Sequence, residues 1–235
     1  MAWEAQTSIP ARGALGRDSV AEGRRAFMAR VYRWMFFGLA LTGGVSVYTV
    51  SNEAVLRFVM GAYLPLIIGE LVLVMALSFM MDRLSGTVAA AMFAGYAALN
   101  GLTLSAIFLV YQLGSIGQAF FLTAGVFGAM SLYATFTKSD LSAWRTFLFM
   151  GLIGVVVAGV VNIFMRSDAL GFITACACVL VFAGLTAYDT QKLRQMYADA
   201  RAAPGGTLAI RGALSLYLDF INLFLAVLRL FGRRR

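Results

Sequence analysis

The chain has 235 residues, 61% of them hydrophobic and only 13% charged, with a formal net charge of +8 and no histidine. A soluble domain carries about 25% charged and about 45–50% apolar residues, so this composition leaves too little polar surface to cover a water-soluble globule. It excludes a disordered chain and a secreted disulfide scaffold, and the missing histidine removes His-based zinc sites, histidine general bases and Ser-His-Asp triads. What remains is an all-α polytopic membrane protein.

Residues 1–30 are polar and arginine-rich, with Arg12, Arg17, Arg24, Arg25 and Arg30. Lacking an apolar core, they do not read as a secretory signal. They are expected to form a cytoplasmic tail, turning helical near 20–30, ahead of a transmembrane domain over 31–235. Seven apolar runs then fall at 31–50, 62–81, 86–111, 115–136, 143–164, 169–190 and 210–231, each near the ~20 residues that a spanning helix needs. The connections Ser51–Gly61, Asp82–Ser85, Gln112–Gly114, Thr137–Ser142 and Met165–Asp168 are short. Only 191–209 is longer, and it carries a Pro204-Gly205-Gly206 turn. Continuous runs of this length exclude barrel strands, and no internal repeat points to an inverted-repeat transporter. Cys176 and Cys178, two apart on a helix, face different ways and read as small apolar residues.

Sorting Lys and Arg by alternate connections puts 13 on the N-terminal side and 6 on the other. Cytoplasmic flanks collect these residues, so the N-terminus is expected in the cytoplasm and the net charge needs no nucleic-acid partner. Arg233-Arg234-Arg235 fall on the sparse side if the seventh run crosses fully; a re-entrant last segment is the alternative.

Carboxylates inside spans are the informative residues, because each costs about 2.5–3.5 kcal/mol at the bilayer centre. Three of the eleven acidic residues qualify: Glu70, Asp189 and Asp219. Asp219 lies on a stripe formed by Arg211, Ser215, Asp219, Asn222, Ala226 and Arg229, at spacings of three and four. One polar stripe on an apolar helix must face protein or water, which places the seventh span centrally. The stripe reads either as an interhelical hydrogen-bonded contact or as a functional lining. Asp189 closes the sixth span and reads either as an interfacial residue or as a partner of Asp219 across an antiparallel pair. Tilt or a deeper Asp189 must then absorb a depth difference of ~10 Å. Two close carboxylates in a poorly hydrated site share a proton. They form a proton-sensitive latch that offers oxygens to a passing Ca²⁺. Glu70 is expected to line the same cavity, to pair with Arg83 or another arginine, or to make a buried hydrogen bond. Asn100, Thr103, Ser105 and Asn162 read as helix–helix contacts. No phosphate loop, dinucleotide fingerprint or metalloprotease helix occurs, so neither an enzyme nor a cofactor is expected.

Ser215-Leu216-Tyr217-Leu218-Asp219-Phe220-Ile221-Asn222-Leu223-Phe224, ending in Leu228-Arg229-Leu230-Phe231-Gly232, resembles the closing signature of the Bax inhibitor-1 (transmembrane Bax inhibitor motif) family. Tyr188-Asp189-Thr190-Gln191 resembles its sixth-helix signature, and Asn162-Ile163-Phe164 and the Glu70 region also fit; the resemblance spans roughly 24–235. It implies six helices around a central seventh and a pH-sensitive Ca²⁺ leak, with the paired aspartates on Asp189 and Asp219. It also implies a helix-two arginine that engages the helix-six aspartate; Arg83 stands nearest, shifted toward the loop beside Asp82. The tail and compact loops are similar to those of bacterial members, which implies the inner membrane. Some bacterial relatives imply a different role: a non-conducting regulator of a membrane protease or other membrane machinery.

Overall fold

A computed structural model describes residues 9–199 and 206–235. Its helices are α1 (Ile9–Ser51), α2 (Glu53–Gly61), α3 (Tyr63–Met80), α4 (Gly86–Leu104), α5 (Ile107–Val110), α6 (Leu113–Phe136), α7 (Arg145–Met165), α8 (Asp168–Asp199) and α9 (Gly206–Phe231). Seven helical stretches among the described residues are long and apolar enough to cross a membrane, α4 and α5 counting as one. The protein is an all-α polytopic membrane protein.

The seventh span, α9, is the core. Of its most apolar stretch 61% is buried, against 6–39% in the other six. Leu216, Tyr217 and Leu223 are fully enclosed. It packs principally on α1, α4, α6 and α8, while α3 joins the bundle through α4 and α7 through α8. The ring around the centre is therefore uneven, with two helices standing outside it. On the outer surface Phe79, Phe136 and Phe164 are 83%, 78% and 82% exposed, as side chains facing hydrocarbon should be.

Small residues and hydroxyls close the helix contacts. Thr42 and Ser46 on α1 donate to the carbonyls of Ala97 and Gly101 on α4, both at 2.8 Å. That approach needs a glycine: a Cβ at Gly101 would stand 2.7 Å from the Thr42 carbonyl oxygen. The Thr42 hydroxyl also lies 2.7 Å from the Tyr217 hydroxyl. Thr42 spends its one proton on Ala97, so Tyr217 donates to Thr42 and ties α9 to α1.

The connections differ from expectation in three places. Ser51–Gly61 is not a plain loop but contains the amphipathic helix α2. The Asn52 side chain caps its first turn by accepting from Ala54 and Val55, and Glu53 pairs with Arg57 at 2.6 Å. The run 86–111 breaks at Ser105–Ala106, where the Ser105 hydroxyl bonds back to the Leu102 carbonyl and a short α5 follows. The long connection 191–209 is largely helical: α8 continues to Asp199 and α9 starts at Gly206. Residues 1–8 of the predicted tail and the Pro204-Gly205 part of the predicted turn lie outside the described residues. The last turn is unbroken, and at 1.5 Å per residue the 26 residues of α9 reach about 39 Å, enough for a full crossing rather than a re-entrant loop. Beyond it, Tyr111 and Arg234 form an antiparallel bridge that straps the segment after α9 to the α5–α6 connection.

Candidate functional site

α8 and α9 are antiparallel neighbours, and their contact carries both predicted aspartates. The Ser215 hydroxyl of α9 donates to Asp189 Oδ2 of α8. Asp189 therefore sits level with Ser215, and Asp219 lies one helical turn further along the same face. The four residues from Ser215 to Asp219 make a step of about 6 Å, less than the ~10 Å expected, because Asp189 lies deeper along α9, level with Ser215. Asp189 is half-buried, whereas Asp219 is 5% exposed and its Oδ2 is buried without a hydrogen-bond partner. The Asp189 carboxylate is close enough for its charge to reach Asp219. On the outer side of Asp189, Lys192 contributes a positive field, and its ammonium stands 5.7 Å over the Tyr188 ring.

The rest of the stripe divides. Asn222 is half-buried and returns its amide to the Leu218 carbonyl of its own helix at 2.8 Å. Arg211 and Arg229 are exposed at opposite ends of α9. Glu70 belongs to a separate cluster on α3 and α4. It accepts from the Asn100 amide and, at 2.9 Å, from the Thr103 hydroxyl. Of the three roles expected for Glu70, the hydrogen bond is the one seen, and Asn100 and Thr103 are its interhelical partners. Arg83 lies exposed in a 3-10 turn after α3. Among the described residues the one ion pair is Arg57–Glu53, so Arg83 holds neither Asp189 nor Glu70. The 3-10 turn explains this: it carries Arg83 out of the α3 helix and off the bundle.

Gln191, two residues after Asp189, had no role in the sequence beyond its place in the sixth-helix signature. Its carbonyl oxygen accepts from the Leu141 amide at 2.8 Å and its amide donates to the Ser139 carbonyl at 2.9 Å. Arg194 adds bonds to the Ala134 and Thr135 carbonyls at the end of α6. Together they clamp the α6–α7 connection onto the stretch of α8 that carries Asp189. Two residues on, at about 100° per residue, Gln191 points away from Asp189, so the helical pattern carried no signal for it.

A family model described as "Inhibitor of apoptosis-promoting Bax1" matches residues 24–235. The chain belongs to the Bax inhibitor-1 family. It is 48% identical over 231 residues to "Inner membrane protein YbhL" of Escherichia coli (strain K12), covering 93% of this chain and 97% of that protein. It is also 45% identical over 222 residues to an uncharacterized protein of Deinococcus radiodurans, with 94% and 96% covered. An uncharacterized protein of Rickettsia prowazekii is 42% identical over 217 residues, with 91% and 92% covered. The family match takes in α9 with Ser215 and Asp219, and α8 with Asp189. The seven-span architecture expected of a Bax inhibitor-1 protein is the one found.

No group of three or more metal-ligating side chains occurs among the described residues. The two aspartates alone offer four oxygens, fewer than the 6–8 that Ca²⁺ takes in a storage site.

Proposed function

We propose that this Bax inhibitor-1 protein is a pH-sensitive Ca²⁺ leak of the bacterial inner membrane, gated by Asp189 and Asp219. The observation that supports this reading is the α8–α9 contact, where Asp189 is bound to Ser215 and Asp219 lies one turn deeper with an unpartnered oxygen. An unpaired carboxylate in a bilayer is expensive and marks a proton or ion pathway by default. When the pair holds one proton, the carboxyls and Ser215 can hydrogen-bond and keep α8 against α9. When it holds none, mutual repulsion weakens the contact. Lys192 and Tyr188 are the other ionisable groups beside Asp189 and set the balance. Ca²⁺ is the permeant ion in this reading; no cofactor and no covalent chemistry take part. The N-terminus is placed in the cytoplasm, on the 13-to-6 division of basic residues.

Ca²⁺ flux in proteoliposomes, from about pH 5 to 8 to bracket the titration of a carboxylate pair away from the ~3.9 of free aspartate, tests the mechanism. Asp189→Asn and Asp219→Asn should each flatten the pH profile, since the amide keeps shape and removes titration. The double variant should add nothing further, because the two residues act as one unit. Unchanged profiles in both folded variants would remove the latch. Absence of protein-dependent flux at every pH would favour a non-conducting regulator of a membrane protease or other machinery. Reporter fusions at residue 1 and after residue 235 decide the orientation.

A further inference from the structure

A cleft of about 890 Å³ lies away from the aspartates, between the end of α7, the start of α8 and the end of α9. Three arginines line it, Arg166, Arg229 and Arg234, against one acid, Asp168. None of the four takes part in an ion pair, since the one such pair among the described residues is Arg57–Glu53. Three guanidinium groups at one cleft without carboxylate partners form a strongly cationic pocket.

The backbone builds this concentration in place. Arg166 closes α7 in the left-handed region, with φ 49°, and its amide bonds to the Asn162 carbonyl at 2.8 Å. A glycine would adopt that conformation at no steric cost, yet an arginine occupies it and stands over the cleft. The Asn162 side chain then accepts from the Ser167 amide at 2.9 Å, turning the chain into α8. On the other wall, the antiparallel bridge between Tyr111 and Arg234 fixes the segment that carries Arg234. The remaining wall is apolar: Val156, Val160 and Phe172 line the cleft and are 57%, 51% and 61% exposed on the surface that faces lipid.

We propose that this cleft binds a phosphate-bearing anion, and that the occupant is an anionic phospholipid. Its phosphate rests on Arg166, Arg229 and Arg234, and its acyl chains run along Val156, Val160 and Phe172. Guanidinium forks match phosphate oxygens two at a time, and a site at the end of a spanning helix, cationic above and apolar below, has the polarity of a lipid. Free phosphate shares the headgroup chemistry but has no use for the apolar wall. The inference is independent of the aspartate latch.

The test uses the full chain, delipidated in detergent, with native mass spectrometry to count retained lipid. Phosphatidylglycerol should be retained over diacylglycerol, and Arg166→Gln with Arg229→Gln should weaken it about tenfold or more, as expected for lost charge-assisted bonds. Arg57→Gln, on the exposed α2 pair, should leave retention unchanged. Gly159→Leu is a second variant that keeps the fold: a Cβ there meets nothing within 4 Å, so the side chain fills the cleft and should displace the lipid. If phosphatidylglycerol binds no better than diacylglycerol but inorganic phosphate raises the thermal stability of the native chain and not of the double arginine variant, the anion site stands with a soluble occupant. Arginine-independent retention, or no response to either probe, overturns the proposal.

Discussion

Helices α3 and α9 are both long and apolar enough to cross a membrane, yet 6% of the most apolar stretch of α3 is buried against 61% of that of α9. Hydropathy says that a helix belongs in the bilayer; it does not say which neighbour the helix meets there. In α3 the one carboxylate, Glu70, is met by two side chains of α4, Leu77 is buried, and much of the remaining helix is open to lipid: Leu64, Leu71 and Val72 are all more than half exposed. In α9 the polar residues recur at helical spacing and the apolar ones between them pack on four helices. The difference is where polarity is allowed. A helix enclosed by protein can carry Ser215 and Asp219 on one face, whereas a lipid-facing helix needs a partner for each polar group.

The strongest way to break this contrast is to move a carboxylate. Leu71→Asp puts one on the lipid face of α3, where Leu71 is 56% exposed. The cost of about 2.5–3.5 kcal/mol at mid-membrane should lower insertion of α3 by about 100-fold. Asp219→Leu should leave insertion of α9 intact. Membrane-insertion assays of each tagged segment in the full chain give the answer, and normal insertion of Leu71→Asp would show that α3 is shielded after all.

A second test removes apolar volume instead. Leu216 of α9 is fully buried, so Leu216→Ala should cost about 2–5 kcal/mol, the range for a core leucine that leaves a cavity. Leu71→Ala on α3 should stay within about 0.5 kcal/mol, as exposed substitutions do. Equilibrium unfolding in mixed detergent micelles measures both. Equal losses would mean that α9 is no more central than α3.

How much of this contrast could be read from the sequence follows from what each signal reports. The seven spans and the central seventh were legible, because length fixes crossing and the stripe from Arg211 to Arg229 fixes which face must avoid lipid. The antiparallel adjacency of α8 and α9 was legible, but the part played by Ser215, which holds Asp189 one turn from Asp219, was not, since depth depends on how far α8 slides along α9. Arg83 was the candidate because the resemblance implies a helix-two arginine and Met80-Met81-Asp82-Arg83 closes the second apolar run. Its place in the connection Asp82–Ser85 already set Arg83 toward the loop, and the 3-10 turn Met81–Arg83 carries it out of the helix. The capping of α2 by Asn52 and the Glu53–Arg57 pair were present in the sequence and simply outweighed by its position in a short connection. Gln191 and Arg194 act on backbone carbonyls and amides of another element, and such targets leave no residue-type signature to find.

A smaller effect sharpens the α9 side alone. Tyr217→Phe deletes the hydroxyl that donates to Thr42 and keeps the ring against Phe93 and Tyr96. Because Thr42 still donates to the Ala97 carbonyl, no buried donor is stranded. The loss should be about 1 kcal/mol, the net value of a hydrogen bond. Thr42→Val should cost more, since it leaves both the Tyr217 hydroxyl and the Ala97 carbonyl without their partner. The same unfolding measurement ranks them, and the reverse order would contradict the donor assignment.

The smallest effect lies outside the membrane and marks the far end of the scale. Asp140, fully exposed between α6 and α7, accepts from the Ser142 amide at 2.9 Å and from the Ser142 hydroxyl at 2.7 Å. The backbone bond first, and the hydroxyl bond second, hold its carboxyl below the usual carboxylate range. A carboxylate lowered by folding contributes stability above its unfolded value of about 3.9 and loses it as the pH falls through the folded value. The Ser142 amide should therefore keep its neutral-pH chemical shift through pH 5 and begin to move only below about 4. Asp140→Asn should abolish that transition and leave the bundle's unfolding midpoint unchanged, because solvent screens so exposed a charge. An NMR titration of the amide decides it. A midpoint at or above that of free aspartate would mean that the Ser142 bonds do not persist, and that the α6–α7 connection is held by the Gln191 clamp alone.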